Sequence, residues 1–165
     1  MDYSADSIEK NARDDEKLNK ELIRIFKKKP PRNLDEIFQD AHERVFERVD
    51  CLTCANCCRF LGPRITDKDI ERLSKQLKVK AAVFVQTYLR MDEDNDYVFR
   101  EMPCPFLESD NKCRVYDHRP KACREYPHTD RKKMHQILDL SLKNTYVCPA
   151  VNEILGELRL WRAGQ

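Results

Sequence analysis

Glycine is scarce: the 165-residue chain has three, Gly62, Gly156 and Gly164. They are too few and too scattered to build a phosphate-cradling P-loop or a G-x-G-x-x-G turn, so the usual nucleotide- and S-adenosylmethionine-binding loops are excluded. Long apolar runs are absent too. None approaches the ~20 residues that a membrane-spanning helix needs. The start, Met1-Asp2-Tyr3-Ser4-Ala5-Asp6, has neither a basic segment nor an apolar one, so no signal peptide is expected and the chain reads as cytoplasmic. Charge of one sign is missing: the formal net charge is +2 although 36% of residues are charged. Clusters such as Lys27-Lys28-Lys29 and Arg131-Lys132-Lys133 are offset by neighbouring acids, so no nucleic-acid footprint stands out. The histidines, His42, His118, His128 and His135, form neither H-x3-H nor H-E-x-x-H. His42 is expected on a helix surface, and His118 and His128 flank the last cysteines.

Cysteine is what the chain does have. Cys51-Leu-Thr-Cys54-Ala-Asn-Cys57-Cys58 places four thiols within eight residues, and Cys104, Cys113, Cys123 and Cys148 follow. Two residues between thiols let one tight turn aim both sulfurs at a common point, the arrangement that suits a tetrahedral ion or a cluster corner. An even count of eight also allows a disulfide framework. The lack of an export signal, the helical composition and the adjacent Cys57-Cys58 pair favour metal, because thiols stay reduced in the cytosol.

Cys51, Cys54 and Cys57 reproduce the three-thiolate run of bacterial ferredoxins, but the fourth ligand and its proline are not in place. Adjacent Cys57 and Cys58 cannot both occupy vertices of one small ion, though they can point to two neighbouring centres. The eight thiols therefore make either two four-cysteine sites or one centre with thiols left for packing or redox work. The expected ligands are Cys51, Cys54, Cys57, Cys58, Cys104, Cys113, Cys123 and Cys148, binding zinc or iron, the latter including a [4Fe–4S] cluster. Arg59, Arg64, Lys112, Arg114, Arg119, Lys121 and Arg124 are candidates to offset the charge of gathered thiolates.

The spacing of apolar residues predicts mainly α structure with a small β-hairpin and an irregular, metal-bound, cysteine-rich centre. Ser7–Lys29 reads as an amphipathic helix with Ile8, Leu18, Leu22, Ile25 and Phe26 spaced along it, stopped by Pro30-Pro31. Asn33 and Glu36 form a capping-box pattern for a helix over 34–49. Further helices are expected from Thr66 or Asp67 to Leu77, from Lys80 to Leu89, over 131–143 and over 148–161. Strands are expected at 97–100, after the acidic turn 92–96, and at 113–116. Pro120 is placed as the first residue of a short helix that presents Cys123, ended by Pro127. The chain divides on this reading into a charged helical arm, 1–31, and a cysteine-cluster domain, 32–165.

The ordered set of motifs resembles the YkgJ-type cysteine-cluster family, which carries a CxxCxxCC domain described as zinc- or iron-chelating. The resemblance rests on Cys51-x2-Cys54-x2-Cys57-Cys58, Pro103-Cys104-Pro105-Phe106-Leu107 and Cys113-Arg114-Val115-Tyr116. It continues through Arg119-Pro120-x2-Cys123-Arg124-x-Tyr126-Pro127 to Cys148-Pro149. Val115 and Tyr126 stand where relatives often carry Ile and Phe, which keeps the residue class. The resemblance covers about residues 50–150 and implies chelation of zinc, iron or an iron–sulfur cluster by the cysteines. A similar cluster accompanies a flagellin lysine methylase in some bacteria. Phe106, Leu107, Tyr116 and Tyr126 are expected to shield the centre from water.

Three functions follow. The first is a cytosolic metal-binding protein whose centre is a structural fastener or an electron carrier. The second is a redox or protein-modifying enzyme that uses the centre, for which no catalytic residue can be named. The third is a zinc-stapled adaptor that uses its charged helix to engage protein or RNA.

Overall fold

A computed structural model describes residues 3–165; Met1 and Asp2, and with them the first residues of the expected arm and of the leader-peptide reading, lie outside the described residues. The chain is mainly helical with a small antiparallel sheet. Two compact units divide it: the chain up to Cys54 together with Pro127–Gln165, and Ala55–Tyr126. The first helix belongs to the first of these units.

In the first unit, α1 (Ala5–Lys28) and α2 (Leu34–Phe46) both pack against α9 (Pro149–Ala163), and α1 also meets α8 (Leu138–Asn144). α1 starts two residues earlier than the periodicity suggests, because Ser4 Oγ accepts from the Ser7 N–H (3.3 Å). Its buried stripe is Ile8, Ala12, Asn19, Leu22, Ile23 and Phe26. Leu18, expected in that stripe, is 56% exposed. One residue is a 100° turn of the helix, and Asn19 takes the inward place instead. Asn19 Nδ2 donates to Asn152 Oδ1 (2.8 Å), and Arg159 of α9 donates to Asn19 Oδ1 and to Asp15 (3.0 Å). This satisfied polar seam fixes the register of α1 on α9. Phe26 sets its ring edge-to-face against Phe38 (6.5 Å) and Trp161 (6.4 Å).

α2 begins where expected, yet the Asn33 side chain makes no capping hydrogen bond, so the capping box is not formed. Asp35, in the first turn, turns elsewhere: its carboxylate accepts from the backbone N–H groups of Lys133 (2.6 Å) and Met134 (2.8 Å). That tie explains a second difference. The segment expected as one helix over 131–143 holds Lys133 in a left-handed conformation, then a 3-10 turn at Met134–Gln136, and becomes α-helical only at Leu138.

The second unit packs Ile65, Ile70, Leu73, Phe84, Leu89, Phe99, Phe106 and Val115 into one core. α5 (Asp67–Gln76) opens with a true capping box formed by Thr66 and Asp69. α6 (Ala81–Tyr88) is shorter than expected, since Leu89–Met91 forms strand β1 and pairs with β2 (Tyr97–Phe99) in the register Leu89↔Phe99. The acidic turn closes this hairpin: Asp92 Oδ1 accepts from the Asp94 (3.0 Å) and Asp96 (2.9 Å) N–H groups. The expected strand at 113–116 is reduced to a single bridge, Leu107↔Cys113, followed by a 3-10 turn at Tyr116–His118. α7 (Lys121–Glu125) carries Cys123, with Pro120 at its N-cap rather than at its first helical position.

Candidate metal centre

The CxxCxxCC run is broken into two turns of helix. Cys51 and Cys54 lie on α3 (Cys51–Cys54), and Cys57 and Cys58 on α4 (Asn56–Phe60). Between them Ala55 adopts φ 51°, a left-handed conformation unusual for any residue with a Cβ. Asp50 starts α3, accepting from Leu52 N–H at its carboxylate (2.8 Å) and from Thr53 Oγ1 at its carbonyl (2.8 Å).

In the 55–126 unit four thiols approach one another. The Cys104 N–H donates to the Cys58 carbonyl (2.8 Å), which sets these two residues side by side. The Leu107↔Cys113 bridge, with Arg114 N–H on Phe106 O (2.9 Å), brings Cys113 back beside the Cys104 loop. α7 then delivers Cys123. Each thiol lies close enough to feel the charge of others: burial pushes Cys123 up to about 12, and thiolates at Cys104, Cys58 and Cys113 would add to that. Cys104 is likewise raised by burial to about 11, opposed by N–H donation to its sulfur from Phe106 and Leu107. Burial raises Cys113, against donation from the Val115 N–H. Cys58 differs. A hydrogen bond from Cys57 lowers it to about 7 despite burial, and Arg119 and Arg59 assist.

In the other unit Cys148, 8% exposed, lies in electrostatic range of Cys51 and Cys54. Burial raises it to about 12, while the N–H groups of Val151 and Ala150 donate to its sulfur. Cys104-Pro105-Phe106-Leu107 and Cys148-Pro149-Ala150-Val151 thus share one local design. A cysteine is followed by proline, and the N–H groups two and three residues on point at the sulfur. Donors so placed favour the thiolate and suit metal–sulfur bonds. The repeated Cys-Pro pair was the sequence signal for this feature.

Among the expected counter-charges, Arg119 lies in electrostatic range of Cys58, Cys113 and Cys123, and Arg59 in range of Cys58. Arg119 is itself held, its guanidinium 3.6 Å from the centre of the Tyr116 ring and its Nε on Tyr116 O (2.9 Å). Arg64, Lys112 and Lys121 pair with Asp96, Asp110 and Glu125, and Arg114 lies over Phe106. Phe106 is in the core at 1% exposure, but Tyr116, expected as a shield, is 42% exposed and serves as the platform for Arg119. His42, on α2, is half-buried: its Nδ1 lies 2.7 Å from Thr129 Oγ1, its ring packs on Phe46, and burial lowers its pKa.

None of the eight cysteines is joined in a disulfide. Among the described residues no three His, Cys, Asp or Glu side chains are already arranged as a cage for an ion. The groups are chemically apt, since all-sulfur donor sets suit zinc and iron alike.

A family comparison matches residues 50–148, from the residue before Cys51 to Cys148 itself, and so takes in every cysteine. The chain belongs to the CxxCxxCC family. That family is described as a "putative zinc- or iron-chelating domain", and it covers more than half of this chain. No curated protein and no solved structure matches the chain. The CxxCxxCC match runs through both compact units, since it includes Cys51, Cys54 and Cys148 as well as all of Ala55–Tyr126. No helix among the described residues is long and apolar enough to cross a membrane.

Proposed function

We propose that this protein binds zinc or iron through its cysteines in a reducing compartment. Cys58, Cys104, Cys113 and Cys123 are the ligands of one four-thiolate site, and Cys51, Cys54 and Cys148 form a second group of sulfur donors. The observation that carries this reading is the backbone pairing that sets Cys104 beside Cys58 and brings Cys113 back beside the Cys104 loop, with Cys123 in electrostatic range of all three. Three half-buried thiols with raised pKa values, Cys104, Cys113 and Cys123, are costly neighbours for one another as thiolates, and a bound cation removes that cost. The N–H groups aimed at Cys104, Cys113 and Cys148, and the cation at Arg119, act in the same direction.

On this reading the four sulfurs turn inward as the ion binds, so chelation and ordering of the irregular 100–126 stretch are coupled. The metal acts as a fastener of the 55–126 unit, and an iron centre would add an electron-carrying role. Anaerobic purification followed by elemental analysis and a visible spectrum tests the proposal. Iron with acid-labile sulfide, or zinc replaceable by Co²⁺ with thiolate charge-transfer bands, supports it. Cys113→Ser and Cys123→Ser that retain full metal content would sink the assignment of the four-thiol site.

A further inference from the structure

The N-terminus of α5 is tied to the segment that presents Cys123. Asp69 has a side chain only 1% exposed, and a buried carboxylate needs a full set of donors. It accepts from the Thr66 N–H (3.0 Å), Thr66 Oγ1 (2.7 Å) and the Arg72 guanidinium, which complete a local capping box and its ion pair. A further donor is not local: the Lys121 N–H, 3.0 Å from Asp69 Oδ1. Arg72 reaches the same way, donating from Nη2 to Arg119 O (2.8 Å) and from Nε to His118 O (3.3 Å).

One ion pair therefore grips the carbonyls of residues 118 and 119 and the N–H of residue 121. Between the grip and the thiol there is little slack. Pro120 has a fixed φ, and the Cys123 N–H already bonds to Pro120 O (3.0 Å). Arg119, inside the gripped segment, is a cation in electrostatic range of Cys58, Cys113 and Cys123.

We propose that Asp69 and Arg72 are positioning residues for the four-thiol site: by holding residues 118–121 they set where the Cys123 sulfur and the Arg119 guanidinium stand beside Cys58, Cys104 and Cys113. The inference rests on the chelation reading for its purpose, but the placing of Cys123 can be measured without metal. A pair that served only the stability of α5 would leave the reactivity of Cys123 unchanged in the folded protein.

The test compares Lys121→Pro with Lys121→Ala in the full-length chain. Proline is tolerated at the first helical position, and Pro120 already has the extended backbone (φ −49°, ψ 149°) that a following proline requires. Lys121→Pro deletes the N–H donated to Asp69, and both variants lose the surface pair with Glu125. Arg72→Met and Arg72→Lys complete the set. In metal-free protein, alkylation of Cys123 by iodoacetamide, read by peptide mapping, should speed up about tenfold in Lys121→Pro and Arg72→Met, as expected for loss of a charge-assisted hydrogen bond. Arg72→Lys should be intermediate, and Cys148, in the other unit, should react as in wild type. With Zn²⁺ bound, release to a chromophoric chelator should be about ten- to a hundredfold faster in Lys121→Pro than in Lys121→Ala. If Arg72→Met does not fold, Lys121→Pro decides the matter. Wild-type Cys123 reactivity in folded Lys121→Pro would overturn the inference. Failure of the wild-type chain to take up Zn²⁺ or Co²⁺ would instead overturn the chelation reading, and the alkylation result would still decide whether the pair places Cys123.

Discussion

Phe106→Ala should strip the metal-free 55–126 unit of about half or more of its stability. The Phe106 ring is 1% exposed, with the rings of Tyr88, Phe99 and Phe84 centred 5.2, 5.6 and 6.4 Å away and the Arg114 guanidinium 5.5 Å above it. Truncating a buried phenylalanine costs about 3–5 kcal/mol, and each lost ring pair adds about 0.5–1.5 kcal/mol to what area alone predicts, so the upper half of that range applies. A unit of this size has a total stability on the order of 5–10 kcal/mol, so about half of it or more would be lost. The consequence for the site is direct, because the N–H of Phe106 points at the Cys104 sulfur and its carbonyl receives the Arg114 N–H. Urea titration followed by near-ultraviolet circular dichroism, with hydrogen exchange of residues 55–126, measures the loss. Phe106→Leu, which keeps much of the volume, should cost about half as much. Zinc at a hundredfold excess over its dissociation constant should restore about 2.7 kcal/mol, because it binds only the folded unit. A Phe106→Ala stability within about 1 kcal/mol of wild type would refute the claim that this ring cluster holds the unit together.

Other perturbations are as specific. Ala55 sits at φ 51°, so Ala55→Gly should be neutral or stabilising by up to about 1 kcal/mol in urea titration, whereas β-branched Ala55→Val should destabilise. Arg159→Met removes a donor from Asn19, which is 0% exposed, and should cost about 1–3 kcal/mol in the helical unit. For Asp69, burial alone would raise the carboxyl, but hydrogen bonds from Thr66, Arg72 and Lys121 outweigh it and hold the pKa below the usual range. Its contribution is therefore complete above about pH 4 and lost as pH falls through the lowered value, so Asp69→Asn should flatten the acid limb of the stability curve of metal-free protein.

Much of the helical frame was legible because its signals are local. Pro30-Pro31 ends α1, Thr66 caps α5, and of the apolar stripe Leu34, Ile37, Phe38, Ala41, Val45, Phe46 and Val49 all but the half-buried Phe46 are buried as the spacing requires. What was not legible depends on partners distant in sequence. The Asp35 carboxylate takes the N–H groups of Lys133 and Met134 and so delays α8, and pairing with Tyr97–Phe99 makes Leu89–Met91 a strand that no local pattern marks. At the site, eight cysteines and their Cys-Pro pairs announced sulfur chemistry. The break of the CxxCxxCC run into α3 and α4 did not show, because it falls at left-handed Ala55, a residue whose propensity is for right-handed helix. The contacts of Asp69 and Arg72 with residues 118–121 were hidden for a similar reason. Thr66-x-x-Asp69 reads as a cap, and nothing local reveals that the same carboxylate also receives the Lys121 N–H.

The central claim is that sulfur holds a metal here, and anaerobic metal analysis of the intact chain tests it most directly. The account predicts about one equivalent or more of zinc or iron per chain, lost together with protection of Cys58, Cys104, Cys113 and Cys123 from alkylation when a strong chelator is added. Protein isolated without air that contains neither zinc nor iron, and whose thiols alkylate equally with and without added metal, would contradict it.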